Sequence, residues 1–221
     1  MAQDNLTAYS GVKSNQKVRL IAKDPGIFIG TPSLLDPIKS TSGVVFPYTP
    51  TIQVSHDANY GSFDTVHSNY QTLFYTNTSN PTINVTATFT ASDAAEALHT
   101  ASALHFFRTC TKMDFGEENR GATGSAGTPP PVLLLSAYGI LHAERIPVVI
   151  RNFSYTLPED VDYVSFDYGP DNTTMSLPAS ILVSLTLGVQ YTPSRQREFN
   201  INDFRTGAGI GGTVGKKAGF L

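Results

Sequence analysis

The chain has 221 residues, a formal net charge of −3 and only 15% charged residues, so it can bury about 70% of its unfolded surface and fits one domain with arms or two small domains. That balance excludes a bulk electrostatic drive toward nucleic acid or an anionic membrane, and the single cysteine, Cys110, excludes an internal disulfide. Abundant Thr, Ser, Asn, Gly and Pro, with Val, Ile, Phe and Tyr as the large apolar residues, suits short strands and many turns.

Residues 1–16 are polar and read as a loose arm, with neither a basic n-region nor an apolar h-region. Lys17–Ala22 alternates, with Val18, Leu20 and Ala22 on one side of a short strand. Asp24-Pro25-Gly26 is a turn signal, and Pro32 and Pro37 oppose a regular element up to Gly43. Val44–Val54 is strand-like but carries Pro47 and Pro50, which push it to a sheet edge. His56–Ser68 reads as a loop. Tyr70–Thr76 and Thr82–Thr90, separated by Asn77-Thr78-Ser79-Asn80-Pro81, are expected to pair as a hairpin.

Thr82–Thr90 is the clearest strand. Ile83, Val85, Ala87 and Phe89 alternate with Thr82, Asn84, Thr86, Thr88 and Thr90. Side chains on a strand point to alternate faces, so one face packs a core while the other is small, polar and uncharged. The chain then turns helical over about 92–113, with Ser92 as the expected N-cap, Asp93 and Glu96 at the positive end and Arg108 and Lys112 at the negative end. Ala97, Ala101, Leu104 and Phe107 form its apolar stripe, flanked by Ala94 and Leu98.

Gly116–Pro131 is a glycine-rich loop that stiffens into Thr128-Pro129-Pro130-Pro131. Val132–Tyr138 is a continuous apolar strand. Arg145–Leu157 is a strand expected to carry Val149, Arg151, Phe153, Tyr155 and Leu157 on one face, and Val161–Tyr168 extends again after the turn Pro158-Glu159-Asp160. Ser180–Thr192 alternates a second time, with Ile181, Val183, Leu185, Leu187, Val189 and Tyr191 opposite Ser180, Ser184, Thr186, Gly188 and Gln190. Leu182 interrupts the polar side. Residues 203–221 are glycine-rich and unpatterned.

Motifs for chemistry fail on context. Gly207–Gly212 matches GxGxxG, but nine following residues cannot supply the helix and distant acid of a dinucleotide site. Gly215-Lys216-Lys217 lacks the P-loop's first glycine and its Ser/Thr. His99 and His105 fall on opposed helix faces, and His56, His67 and His142 stand apart, without HxxxH, HExxH or CxxC spacing. Glu159, Asp160 and Asp162 suit a solvated turn, and Ser136 lacks a G-x-S-x-G context. Asn-x-Ser/Thr triplets at Asn5, Asn77, Asn84, Asn152 and Asn172 follow from Thr/Ser richness. No segment has the ~20 apolar residues that span a bilayer. The expectation is a non-enzyme without cofactor, metal or membrane insertion.

Several blocks in order carry a resemblance: Gly43–Ile52, Tyr70-Gln71, the Thr-rich strand with its helix, Pro130–Gly139, Ile146–Ile150, Leu157–Val164 and Val189–Pro193. Over roughly 43–200 the chain resembles the baseplate tail-tube initiator, or tail-tube junction, proteins of contractile-tailed phages. The resemblance implies a tail-tube-type antiparallel β-sandwich or barrel with one main helix, whose inner sheets join in a hexameric ring around a DNA-wide lumen. It implies partners as well: further copies, the baseplate hub, the tail tube, tape-measure and wedge proteins, and genomic DNA in transit only. The location would be the virion, after assembly in the host cytoplasm. The corresponding organisation is an N-terminal arm and loop region over 1–42, a tube-type β domain over 43–202 with its helix at about 92–113, and a glycine-rich C-terminal arm over 203–221. Thr82, Asn84, Thr86, Thr88, Ser184, Thr186 and Gln190 are the candidate lumen-facing residues, because small uncharged side chains do not grip phosphate. Phe204, Lys216, Lys217, Phe220 and Leu221 form a candidate assembly arm, expected to be mobile in the free subunit and to order on a neighbour. The competing readings are a β-sandwich receptor- or carbohydrate-binding module, weakened by the absence of Trp, and a β-sandwich hydrolase, weakened by the missing constellation.

Overall fold

Long-range antiparallel pairing organises the computed structural model, which describes residues 17–28, 33–115, 127–138, 142–169, 173–207 and 220–221. The strands are β1 (Arg19–Ala22), β2 (Gly43–Val45), β3 (Thr51–Ser55), β4 (Ala58–Phe63), β5 (Thr72–Thr78), β6 (Thr82–Thr90), β7 (Leu133–Ala137), β8 (His142–Thr156), β9 (Tyr163–Tyr168), β10 (Thr173–Pro178) and β11 (Ser180–Val189). The α-helices are α1 (Asp36–Lys39), α2 (Ala94–Thr109), α3 (Pro193–Arg197) and α4 (Ile201–Arg205). Seven strands form one sheet in the order β2-β1-β7-β8-β11-β6-β3, and β4-β5 and β9-β10 are separate hairpins.

The large sheet rolls up. Five strand spacings separate β2 from β6, roughly 24 Å in a flat sheet. Yet the ring of Phe46, next after β2, lies 5.7 Å from that of Phe89 on β6. The Tyr48 hydroxyl reaches Thr90 Oγ1 at 3.0 Å, and Tyr138, after β7, donates to the Pro50 carbonyl at 2.8 Å. The sheet's two ends therefore face each other across one core, which β1, β2, β6, β7, β8 and β11 all line. Of the expected antiparallel sandwich or barrel, the described residues form a single large sheet curled on itself.

Helix α2 covers this core. Asp93, not Ser92, caps it: its carboxylate accepts from Glu96 N at 2.8 Å while Glu96 accepts from Ser92 N at 2.8 Å, two orphan donors satisfied in exchange. One apolar stripe does not describe the helix. Ala97, Thr100, Ser102, Ala103, Leu104, Phe106 and Phe107 are all buried, because the rolled sheet lies on one side and the β9-β10 hairpin, through Phe166, Val164 and Leu177, on the other. Ala94 is exposed. The Ser102 hydroxyl sits 2.6 Å from the carbonyl oxygens of Leu34 and Leu98, tying α2 to the α1 segment.

Several expectations are corrected. His56–Ser68 is not all loop, since β4 lies within it and pairs with β5; β5 therefore does not form the hairpin with β6, which pairs instead with β11 and β3. Thr173–Pro178, unassigned by pattern, pairs with β9. The strand expected within Lys17–Ala22 is β1, which lies between β2 and β7, and Leu20, Leu35 and Ile38 are core residues. The inward face of β8 changes parity along its length. Ile146, Val148 and Ile150 point inward, the register to β11 then slips by one residue, and beyond the bulge Phe153 packs on the core.

Gly43 is where glycine is required. Its φ is +157°, and a Cβ there would overlap the Leu20 carbonyl oxygen and sit 2.7 Å from Ile21 Cα, on the strand with which it pairs. Backbone of a paired strand cannot step aside as a side chain can. Gly43→Ala is expected to cost about 2–3 kcal/mol by forcing β1 and β2 apart, read as a lowered midpoint in thermal unfolding with the β-sheet spectrum retained.

Candidate functional site: a polar sheet face

The two alternating strands singled out by sequence are neighbours. β6 and β11 pair over Thr90↔Ser180 to Thr82↔Gly188, so their polar sides lie on the same, outer face of the sheet. Thr86 stands opposite Ser184, Asn84 opposite Thr186 and Thr88 opposite Leu182. Thr186 Oγ1 donates to Asn84 Oδ1 at 3.1 Å. Thr86, Thr88, Ser184 and Gln190 are exposed, whereas Thr82, Asn84 and Thr186 are half-buried. On the opposite side of the same strands Ile83, Val85, Phe89, Ile181, Val183, Leu185 and Leu187 are almost completely buried. Core packing thus fixes which side chains are presented: a slip by one residue would bury the threonines and expose the aliphatic row.

Flanking strands extend this face with residues that sequence pattern does not select. On β3, Thr51 stands opposite Thr86 and Gln53 opposite Asn84. On β8, Asn152 stands opposite Thr186, Ser154 opposite Ser184 and Thr156 opposite Leu182. Two complete cross-strand rows result, Thr51–Thr86–Ser184–Ser154 and Gln53–Asn84–Thr186–Asn152. The face measures about 14 Å across the strands and about 20 Å along them. Leu182, 44% exposed, is its apolar interruption, and Arg151, at the β8 bulge, is the one charged residue among the described positions on it. The signal for Asn152, Ser154 and Thr156 is their own alternation with Phe153 and Tyr155; the bulge conceals that this parity joins the β6–β11 face.

Both edges of this four-stranded leaf are open among the described residues. β3 ends the sheet. At the other side, β7 pairs with β8 only between Leu133↔Val148 and Ala137↔His142, leaving Asn152–Thr156 bonded to β11 alone.

The candidate assembly arm divides. Lys216 and Lys217 lie outside the described residues, as do residues 208–212 of the GxGxxG match. Phe220 and Leu221 pack on their own subunit. Phe220 is 6% exposed, with its ring 5.0 Å from Tyr191, 5.2 Å from Phe199 and 4.9 Å from the Arg195 guanidinium. The Leu221 N–H donates to the Tyr191 hydroxyl at 3.0 Å. Burial raises the Tyr191 phenol above its ordinary range, with the Leu221 hydrogen bond and the Arg195 charge pulling the other way. Phe204 stacks near Phe199 at 5.5 Å. A cut after Asn202 removes Phe204, Phe220 and Leu221 together. It is therefore expected to destabilise the subunit itself, by about 2–4 kcal/mol, as a lowered urea midpoint of the isolated chain.

Burial pushes the Cys110 thiol up to about 12, so it stays protonated. Burial lowers His99, opposed by Glu96, and burial with the Arg108 charge lowers His105. No three His, Cys, Asp or Glu side chains converge on a common point among the described residues, and no helix there is long and apolar enough to cross a membrane.

No family model matches the sequence, and no curated protein matches it. Solved structures that match include the tail of an empty GTA particle, computed with helical refinement and C6 symmetry. The identity is 10% and the TM-score 0.30, over 82% of this chain and 100% of that one. A likeness at that score carries no argument about fold or role.

Proposed function

We propose that this chain is a structural virion protein that forms a six-fold ring between the baseplate hub and the tail tube of a contractile tail, templates the tube and lines the DNA channel. The observation that carries this reading is the four-stranded face of hydroxyls and amides, with Arg151 as its single charge, bounded by two open edges. Open edges recruit further strands. The edge at β3 and the edge at Asn152–Thr156 are different surfaces on opposite sides of one leaf, which is the geometry of a heterologous, head-to-tail contact that closes into a ring. Six such leaves make a circuit of 24 strands. At about 4.8 Å per strand its circumference is at least about 115 Å and its diameter about 37 Å, more when the strands tilt.

Such a barrel leaves room for a duplex, and the surface turned to it decides how the duplex moves. Thr, Ser, Asn and Gln offer hydrogen bonds that water replaces readily, and few of the salt-sensitive phosphate contacts that rows of Lys or Arg make. The resemblance of the 43–200 blocks to tail-tube initiators supports the same reading. Negative-stain imaging of the purified chain, alone and with its neighbouring tail proteins, tests it. Six-fold rings are expected. A monomer decorating the particle periphery would overturn the proposal.

A further inference from the structure

We propose that Arg151 is a phosphate-contacting position on the polar face, the point against which the backbone of a passing nucleic acid is centred. The inference rests on the ring reading for where that face points; its own support is local geometry. β8 and β11 pair in register on both sides of Arg151, with Asn152 opposite Thr186 and Ile150 opposite Leu187. Arg151 is the extra residue of the bulge. A bulge re-aims a side chain and is the means by which a strand departs from strict alternation.

The opposing strand makes room for the re-aimed chain. Gly188 is buried, and a Cβ there would lie 2.9 Å from Arg151 Cδ and 3.3 Å from its Cγ. The aliphatic stem of Arg151 thus lies across Gly188 on the outer face, where any other residue would lift it, while Arg151 as a whole remains exposed. Among the described residues no carboxylate pairs with it. Its surroundings on the face are Val149 and Gly188, which pair with each other, and Asn152 and Thr186 next along the strands, all uncharged.

A guanidinium binds phosphate through two parallel donors and stays protonated at any working pH. The ligand class this suits is the phosphodiester backbone of a duplex. One cation per subunit, separated by neutral hydroxyls and amides, gives six evenly spaced contacts in a ring. Each is weak and salt-sensitive, enough to centre a strand without holding it. A carboxylate on the adjacent copy is the other partner a guanidinium would take, and the test separates the two.

Assembled rings of wild type, Arg151→Gln and Arg151→Lys are titrated with a short fluorescent DNA duplex over a range of salt, with ring formation checked by imaging. Arg151→Gln rings are expected to form normally and to bind at least about tenfold more weakly at low salt. The slope of log affinity against log salt should flatten by about 0.9 for each phosphate that the variant no longer neutralises. Arg151→Lys should keep the slope and bind with an affinity between the other two. Arg151→Gln rings that bind with wild-type affinity and slope would overturn the inference while leaving the ring intact. A folded Arg151→Gln subunit that forms no ring would also overturn it, assigning Arg151 to the contact between copies. A wild-type chain that forms no ring defeats the ring reading first, and this inference with it.

Discussion

Phe107→Ala is expected to cause the largest stability loss of any single side-chain truncation in this chain, about 3–5 kcal/mol. Phe107 is completely buried. Its ring lies 6.2 Å from Phe46, 6.4 Å from Phe89, 6.0 Å from Phe106 and 5.5 Å from Phe153. These partners belong to the segment after β2, to β6, to α2 itself and to β8. One side chain on the covering helix therefore touches both ends of the rolled sheet and its middle. Removing it opens a cavity whose walls are held by several elements and cannot collapse together, which is the expensive case. Phe107→Leu keeps much of the volume and should cost less than half as much. In urea, the midpoint should fall with the m-value unchanged. A loss under about 1 kcal/mol for Phe107→Ala would mean that the sheet holds its curl without the helix.

Thr86→Lys is expected to leave the subunit folded and the ring assembled, yet to slow nucleic-acid passage by about tenfold or more at low salt, with relief as salt rises. Thr86 is exposed, in the middle of the Thr51–Thr86–Ser184–Ser154 row. A long polar side chain at an exposed strand position costs little, within about 0.5 kcal/mol. In the proposed six-fold ring it adds six cations at a second level of the channel wall, beyond those of Arg151. Thr86→Glu has similar size and opposite sign, so it should pass nucleic acid at near the wild-type rate. The comparison isolates charge from bulk. It is read as release rate from particles carrying each variant, and equal rates for Lys and Glu would contradict a luminal position for Thr86.

Strands are legible in this sequence where one face is buried and the other wet. Ile83 to Phe89 and Ile181 to Val189 alternate because their two environments differ, and the structure places both as the pattern predicts, buried face included. Their mutual pairing is not legible, since the contact joins residues about a hundred positions apart and local pattern carries no partner. β4 escapes, and β5, expected over Tyr70–Thr76, is given the wrong partner, for the opposite reason. Tyr60, Phe63, Leu73, Phe74 and Tyr75 are all exposed, so the hairpin has no buried face and no period-two contrast to detect. The Arg151 bulge breaks the parity of β8, which conceals the contribution of Asn152, Ser154 and Thr156 to the polar face. At the chain end, glycine content suggests a free arm, but the burial of Phe220 against Tyr191 and Phe199 and the hydrogen bond from Leu221 to Tyr191 decide where the last two residues go.

The orientation of the polar face in the assembled particle bears most directly on the proposed role. A cryo-EM reconstruction of the ring, alone or in the tail, locates it at side-chain level. The expected result is Thr86, Thr186, Ser184 and Ser154 turned to the channel, with β3 of each copy bonded to the Asn152–Thr156 edge of the next. A reconstruction with that face turned to bulk solvent or packed against another tail protein, and with those two edges apart, would contradict it.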